Sequence, residues 1–442
     1  MDQINKYQEE NVSLQPSKSA SFLLIIGIIF IAANSRSPLT AVGPVVDQIR
    51  GSLHISNTLT GMITTFPLIA FAAFSPFVPK LARRFGAKLV LLWSLVFLTF
   101  GIVLRSLFGE NGLFFGTAII GLSISVGNVL MPSLIKHDFP KRIGIMTGIY
   151  NVSMSLFGAI ASGVSIPIST KAGLGWEGSL SIWAVLSFLS FILWIPQVMQ
   201  RKRKTTAYEG TVNSASKTKF KDDYKGNNEI KNAPGASSNM INLWKSPLAW
   251  QVTLYMGLQS VELYCMYAWL PDILVHQGMD SGKAGWMLSL FQLTSLPVAF
   301  FGSVLAGRKA NQRPVVIVAS LCVLSGLLGM FFGATGLTFL WMILMGSGCA
   351  LTFSLSLIFF SFRTKNADEA ARLSGMAQSV GYLLASLGPT LLGFLHDATN
   401  NWTLPLAVLI GAAGMCLLVG LGASRDLQIT STVGHCKSTL HH

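Results

Sequence analysis

Apolar residues in this chain come in runs of about twenty, each closed by a short polar break, and runs of that length predict membrane-spanning helices. Spans are expected near 21–43, 56–78, 88–107, 112–135, 143–168, 177–198, 247–270, 284–306, 314–333, 336–361, 373–395 and 402–422. One long hydrophilic stretch, 199–245, is too poor in apolar residues to fold by itself and reads as a basic linker. It divides the chain into an N-terminal six-helix bundle (21–198) and a C-terminal one (246–422), with tails at 1–20 and 423–442. The expected fold class is therefore an all-α integral membrane protein of twelve transmembrane helices in two six-helix bundles.

Composition and charge change the picture in two ways. Of 442 residues, 51% are hydrophobic and only 11% charged, far below the roughly 25% charged residues of soluble domains. The net charge of +14 suggests nucleic acid until the positions are read. Almost every Lys and Arg falls in a loop between apolar runs, which argues against a nucleic-acid partner and instead writes the topology. With the N-terminus cytoplasmic, that side receives Lys80, Arg83, Arg84, Lys88, Lys136, Lys141 and Arg142. It also receives "RKRK" at 201–204, then Arg308, Lys309, Arg313, Arg363, Lys365 and Arg372. The other side receives only Arg50, Arg105, Lys171 and Lys283, so both termini are expected in the cytoplasm of a multi-pass cell-membrane protein. No cleavable signal is read at the N-terminus, where Glu9 and Glu10 precede the first apolar run.

Cofactor chemistry finds no foothold. Cys265, Cys322, Cys349 and Cys416 lie within apolar segments and Cys436 in the tail, none at metal-ligand spacing. No Ser/His/Asp grouping and no nucleotide-binding loop occurs within the spans, so neither an enzyme nor a metal or cofactor site is expected. The expected partners are a small-molecule solute and the lipid bilayer, with the protein acting as a monomer.

The two halves also read as repeats. An offset of 230 aligns Arg142 with Arg372, Met146 with Met376, Gly158 with Gly388 and Gly163 with Gly393. The loops after the second and eighth spans end in "LARRFG" and "LAGRKA". Parallel six-helix repeats are an architecture of membrane transporters, with a solute site near the midplane. The segments "NSRSPLTAVGP", "PKLARRFG", "GNVLMPSLIKHDFP", "SPLAWQVTLYMGLQS" and "ARLSGMAQSVGYLLASLGP" resemble the cyanate and 2-nitroimidazole transporter branch of the major facilitator superfamily. The resemblance covers roughly residues 21–422 and implies secondary transport of a small anionic or polar solute. It departs from the superfamily's general loop pattern, in which an acidic residue stands where Arg83 is and a glycine near Pro79. In the wider superfamily that acidic residue helps latch the closed state.

Two charges remain inside the spans once loops are removed, Arg36 and Glu262. Each lies fifteen residues into its span, about 22 Å of helix, counted from Ser21 and from Pro247. The first and seventh spans are equivalent by the repeat, so the two charges are expected to face each other at one depth and offset each other's burial. Arg36 presents a planar fork of donors suited to a carboxylate or other oxyanion; a purely structural ion pair is the alternative. Gln251, Tyr255, Gln259 and Glu262 recur at spacings of four, four and three, one stripe of a helix. Asn34 and Thr40 on the first span, with Tyr150, Gln292 and Gln378 on others, complete the expected substrate-binding set. Glu262 is the proton-coupling candidate. Asn128, Asn151 and Tyr382 add polar groups that serve equally well as interhelical hydrogen bonding. Gly144, Gly148, Gly158, Gly163, Gly388 and Gly393 read as close-packing and hinge positions, and Trp250, Trp269, Trp286 and Trp402 as interfacial anchors.

These features favour a secondary active transporter working by alternating access. A proton-driven exporter of amphipathic drugs, with Glu262 carrying the proton, is the competing reading.

Overall fold

The computed structural model describes residues 18–55, 57–199, 243–309, 311–333 and 335–429. The basic run at 201–204, most of the linker, most of the two tails and Cys436 lie outside these residues. Among the described residues the chain is helical throughout: α1 (Lys18–Thr40), α2 (Val46–Leu53), α3 (Asn57–Phe74), α4 (Val78–Phe85), α5 (Ala87–Leu107), α6 (Gly109–Asp138) and α7 (Ile143–Ile166). There follow α8 (Gly175–Met199), α9 (Pro247–His276), α10 (Ser281–Arg308), α11 (Arg313–Phe331), α12 (Thr338–Phe362), α13 (Ala367–Thr399) and α14 (Thr403–Ala423). Twelve of these correspond one to one with the expected spans; α2 and α4 are short additions.

Ten helices among the described residues are long and apolar enough to cross a membrane, and the bent pair Thr65–Phe74 and Val78–Phe85 makes an eleventh. The twelfth, α9, has the length but carries Gln251, Gln259, Glu262 and Asp272. Helix boundaries follow local chemistry. Ser246 caps α9 by accepting from the Ala249 amide, with Pro247 in the first turn, where its missing N–H costs nothing. Asn366 caps α13 by accepting from the Glu369 amide at 2.9 Å, while Glu369 accepts from the Lys365 amide at 2.8 Å. Gly86, at φ 90°, makes the turn between α4 and α5 that a side chain would strain.

The helices pack as two compact units, which do not divide at the linker alone. The first takes the chain up to Ala70, Leu81–Met131 and Gly148–Arg201; the second takes Phe71–Lys80, Pro132–Thr147 and the chain from Lys202 onward. Two short pieces of the N-terminal half therefore belong with the C-terminal helices, and the contacts inside the second unit show why. Lys136, at the end of α6, donates to the Ser361 carbonyl at 2.5 Å and also to the Thr364 carbonyl and hydroxyl. It thereby sits on the carbonyl end of α12, where a cation is favoured, with Glu369 adding electrostatic attraction. Ser133 donates to the Ala367 carbonyl at 2.6 Å and Ser361 to the Pro132 carbonyl at 3.2 Å. A Cβ on Gly144 would stand 2.8 Å from the Gly307 Cα, so these two backbones touch only because both residues are glycine. Likewise Gly375 admits the Ser75 carbonyl, 2.8 Å from where its Cβ would be.

Arg363 closes the same end of the C-terminal helices. Expected in a loop, it is buried: its Nε donates to the Ala423 carbonyl at 2.8 Å, Nη2 donates to Gln312, and Asp426 lies 3.8 Å away. Burial lowers its pKa to about 10, Asp426 working against the shift, so it stays charged at neutral pH.

Candidate functional site

Arg36 stands one turn before the C-terminal end of α1, and the structure builds a polar group around it within the first unit. The Arg36 side chain is half-buried. Tyr150 of α7 is buried and lies within electrostatic reach of Arg36. Its hydroxyl donates to Asn128 Oδ1 of α6 at 2.9 Å. Thr40 donates to the Gly158 carbonyl at 2.9 Å and to the Arg36 carbonyl at 3.2 Å, tying the last turn of α1 to α7. Gly158 itself is the socket for the arginine stem. A Cβ there would stand 3.0 Å from Arg36 Cγ and 3.3 Å from Arg36 Cβ. The arginine stem, the Thr40 and Tyr150 hydroxyls and the Asn128 amide are thus linked across α1, α6 and α7.

Of the expected site residues, Arg36, Thr40 and Tyr150 come together. Asn34 turns to another helix, donating to Ser190 of α8 at 2.6 Å and to the Phe30 carbonyl at 2.8 Å. Gln292 is exposed on α10, and Gln378 is buried on α13, where it donates to Ser374 at 2.8 Å. The stripe on α9 is present but faces its own bundle. Cβ atoms on Gly420 and Gly422 of α14 would collide with Tyr255 and Gln251, at 2.6 Å in each case, so both side chains pack into that glycine face. Gln259 donates to Ser260 at 2.7 Å. Glu262 is buried, with Oε1 unpartnered, and it acts electrostatically on Tyr255, Cys265, Cys349 and Cys416. Arg36 and Glu262 thus each have a described environment inside their own unit, one polar and one of thiols and a phenol.

Two residues of this arrangement escape sequence reasoning. Gly158 reads only as a packing glycine. Arg105 sits at the end of the third apolar run and reads as a loop residue, yet it has no exposed surface. Two of the expected anchors also find partners within the fold: Trp402 is buried and stacked on His396 at 4.4 Å, and Trp269 donates to the Pro389 carbonyl at 2.8 Å. No group of three His, Cys, Asp or Glu able to hold a metal occurs among the described residues.

Comparison with known proteins places this geometry in context. Residues 23–389 match the family model described as Major Facilitator Superfamily. The chain is 43% identical over 413 residues to an uncharacterized transporter of Bacillus subtilis, covering 93% of this chain and 96% of that one. It is 36% identical over 411 residues to the 2-nitroimidazole transporter of Escherichia coli, covering 92% and 96%. It is 21% identical over 385 residues to the cyanate transport protein of the same organism, covering 87% and 92%. Among solved structures, a proton:xylose symporter superposes with a TM-score of 0.72 at 12% identity, covering 94% of this chain and 99% of that one, a likeness of fold alone.

Proposed function

The chain belongs to the major facilitator superfamily, and we propose that it moves a small anionic or polar organic solute across the cell membrane, with Arg36 receiving the anion. It is a transporter and not an enzyme, related to the cyanate and 2-nitroimidazole branch. One observation carries the reading: the half-buried Arg36 with Tyr150, itself bonded to Asn128, within its electrostatic reach. An intramembrane arginine is expensive, and such residues mark solute pathways. A guanidinium meets an oxyanion or carboxylate through two parallel N–H donors, which an ammonium cannot do.

The seam inside the second unit supports alternating access. Its bonds join the ends of α6 and α12, and its glycine contacts join 144 to 307 and 75 to 375. Every one of them can part without breaking a helix, as a gate requires. With the N-terminus in the cytoplasm this seam is the cytoplasmic gate, and Lys136 on the carbonyl end of α12 takes the latching role that an acidic loop residue has elsewhere. Glu262 remains the proton-coupling candidate, acting through its own buried carboxyl.

The test is uptake into proteoliposomes of labelled cyanate, benzoate and 2-nitroimidazole. Saturable uptake of at least one, competed by the other anions and insensitive to neutral amphipathic drugs, is expected. Extrusion of amphipathic drugs with no anion competition would replace this reading with a drug exporter.

A further inference from the structure

We infer that Arg105 is a positioning residue for Arg36: it caps the broken C-terminal end of α1 and so sets where the Arg36 side chain points. The inference rests on the reading of Arg36 as the anion-binding group.

The last turn of α1 does not close normally. The Ala41 amide still donates to Ser37 O at 3.1 Å, but the Val42 amide turns to Leu39 O at 3.4 Å instead of continuing to Pro38. The carbonyl of the buried Pro38 is left without its helical partner. Arg105, reaching in from the end of α5, supplies the missing donor: its Nη1 donates to Pro38 O at 2.6 Å.

This arginine is fully buried, and its Nε and Nη2 have no partner among the described residues. No carboxylate acts on it there either. Its compensation comes from the carbonyl end of α1, where the helix dipole places negative potential. The surroundings are shaped for it. A Cβ on Gly116 of α6 would stand 2.5 Å from the Arg105 amide nitrogen and 2.6 Å from its Cα, so α6 lies against this backbone only as glycine.

From the other side, α7 holds the same turn. Ser165 donates to the Ala41 carbonyl at 3.0 Å and Thr40 to the Gly158 carbonyl at 2.9 Å. Residues 38–41 are therefore clamped between α5 and α7, and Arg36 leaves the helix one turn earlier with its stem in the Gly158 socket. Arg105 thus holds α1 by a backbone carbonyl from α5, while the Arg36 stem lies against Gly158 of α7. It orients Arg36 without touching what Arg36 binds.

The test does not depend on which solute is carried. Arg36→Cys in the full chain, in proteoliposomes, is labelled with anionic sulfonatoethyl and with neutral methyl methanethiosulfonate. Modification at residue 36 is read by peptide mass spectrometry, with Arg105 intact or replaced by Met or Gln. Arg105→Met, which removes the donor, is expected to change the labelling rate of residue 36 by about threefold or more with both reagents. Unchanged rates beside a lowered melting temperature would overturn the inference and leave Arg105 a cap that serves stability alone. Should the Met variant not reach the membrane, Arg105→Gln decides on the same terms: its shorter arm cannot hold Pro38 O as the guanidinium does, so a changed rate supports the inference and an unchanged one overturns it. Anion uptake by Arg36→Ala tests the role of Arg36 separately, so the two ideas can fail independently.

Discussion

The C-terminal end of α1 and the polar stripe of α9 look alike as sequence and differ as structure. Each carries a charge fifteen residues into a span, with polar residues at helical spacing around it. At α1 the charge keeps a half-buried side chain within reach of the Tyr150 hydroxyl of α7, which is bonded to the Asn128 amide of α6. At α9 the stripe turns to Gly420 and Gly422 of α14, and Glu262 ends among thiols with an oxygen unpartnered. Helical spacing says which residues share a face. Which neighbour that face meets is decided by where the neighbours are small.

The sharpest way to test that contrast is to remove the charge at α1. Arg36→Ala should lower anion uptake by about a hundredfold while the protein still inserts, a loss typical of a buried charge-assisted contact. Arg36→Lys should recover only part of it, because the ammonium lacks the fork. Normal uptake by the Ala variant would remove the difference between the two regions.

A smaller effect is expected at α9. Glu262→Gln should keep exchange of anion for anion but lose about tenfold in accumulation driven by an inward proton gradient, since a neutral amide cannot carry the proton. Accumulation with unaltered pH dependence would make Glu262 a structural group.

Gly158→Ala should act on the arginine stem alone. The neighbour must give by a few tenths of an ångström, so uptake should fall about three- to tenfold with less than about 1 kcal/mol lost in stability. A rise in KM at constant kcat is the expected form, because the group that binds has moved.

The least effect on transport belongs to Gly420→Ala. The added methyl meets the Tyr255 ring, fixed by Phe359 at 5.5 Å, and should cost about 1–3 kcal/mol in thermal unfolding. The KM for anions should not change. A rise in KM here would bring the α9 stripe back into the solute site.

Much of the architecture was legible because lipid leaves the chain few choices. A backbone in the bilayer must satisfy its own hydrogen bonds, so apolar runs of sufficient length become helices and each of the twelve appears near its expected limits. In α9, Gln, Glu and Asp lower the hydropathy of the span without breaking its helix. Arg36 stood out because a charge in an apolar run needs a cause, and Tyr150 because it is a hydrogen-bonding group inside another run. Gly158 carried no such contrast with its neighbours in the chain.

What the sequence determined by itself is local: helix length, the end of each span, the charge census and the presence of one arginine far from any loop. What only the tertiary structure decided is direction and partnership. Arg105 and Arg363 both read as loop cations, and both are buried caps on the carbonyl ends of other helices, Pro38 in α1 and Ala423 in α14. Tyr255 reads as part of the substrate-binding set and Glu262 as the proton-coupling candidate; the fold packs the one against a glycine of α14 and buries the other near thiols of its own bundle. The physical reason is the same in each case. A helix end or a glycine face far along the chain offers open carbonyls or room for a ring, and nothing in the residue's own neighbourhood records which of them it will meet.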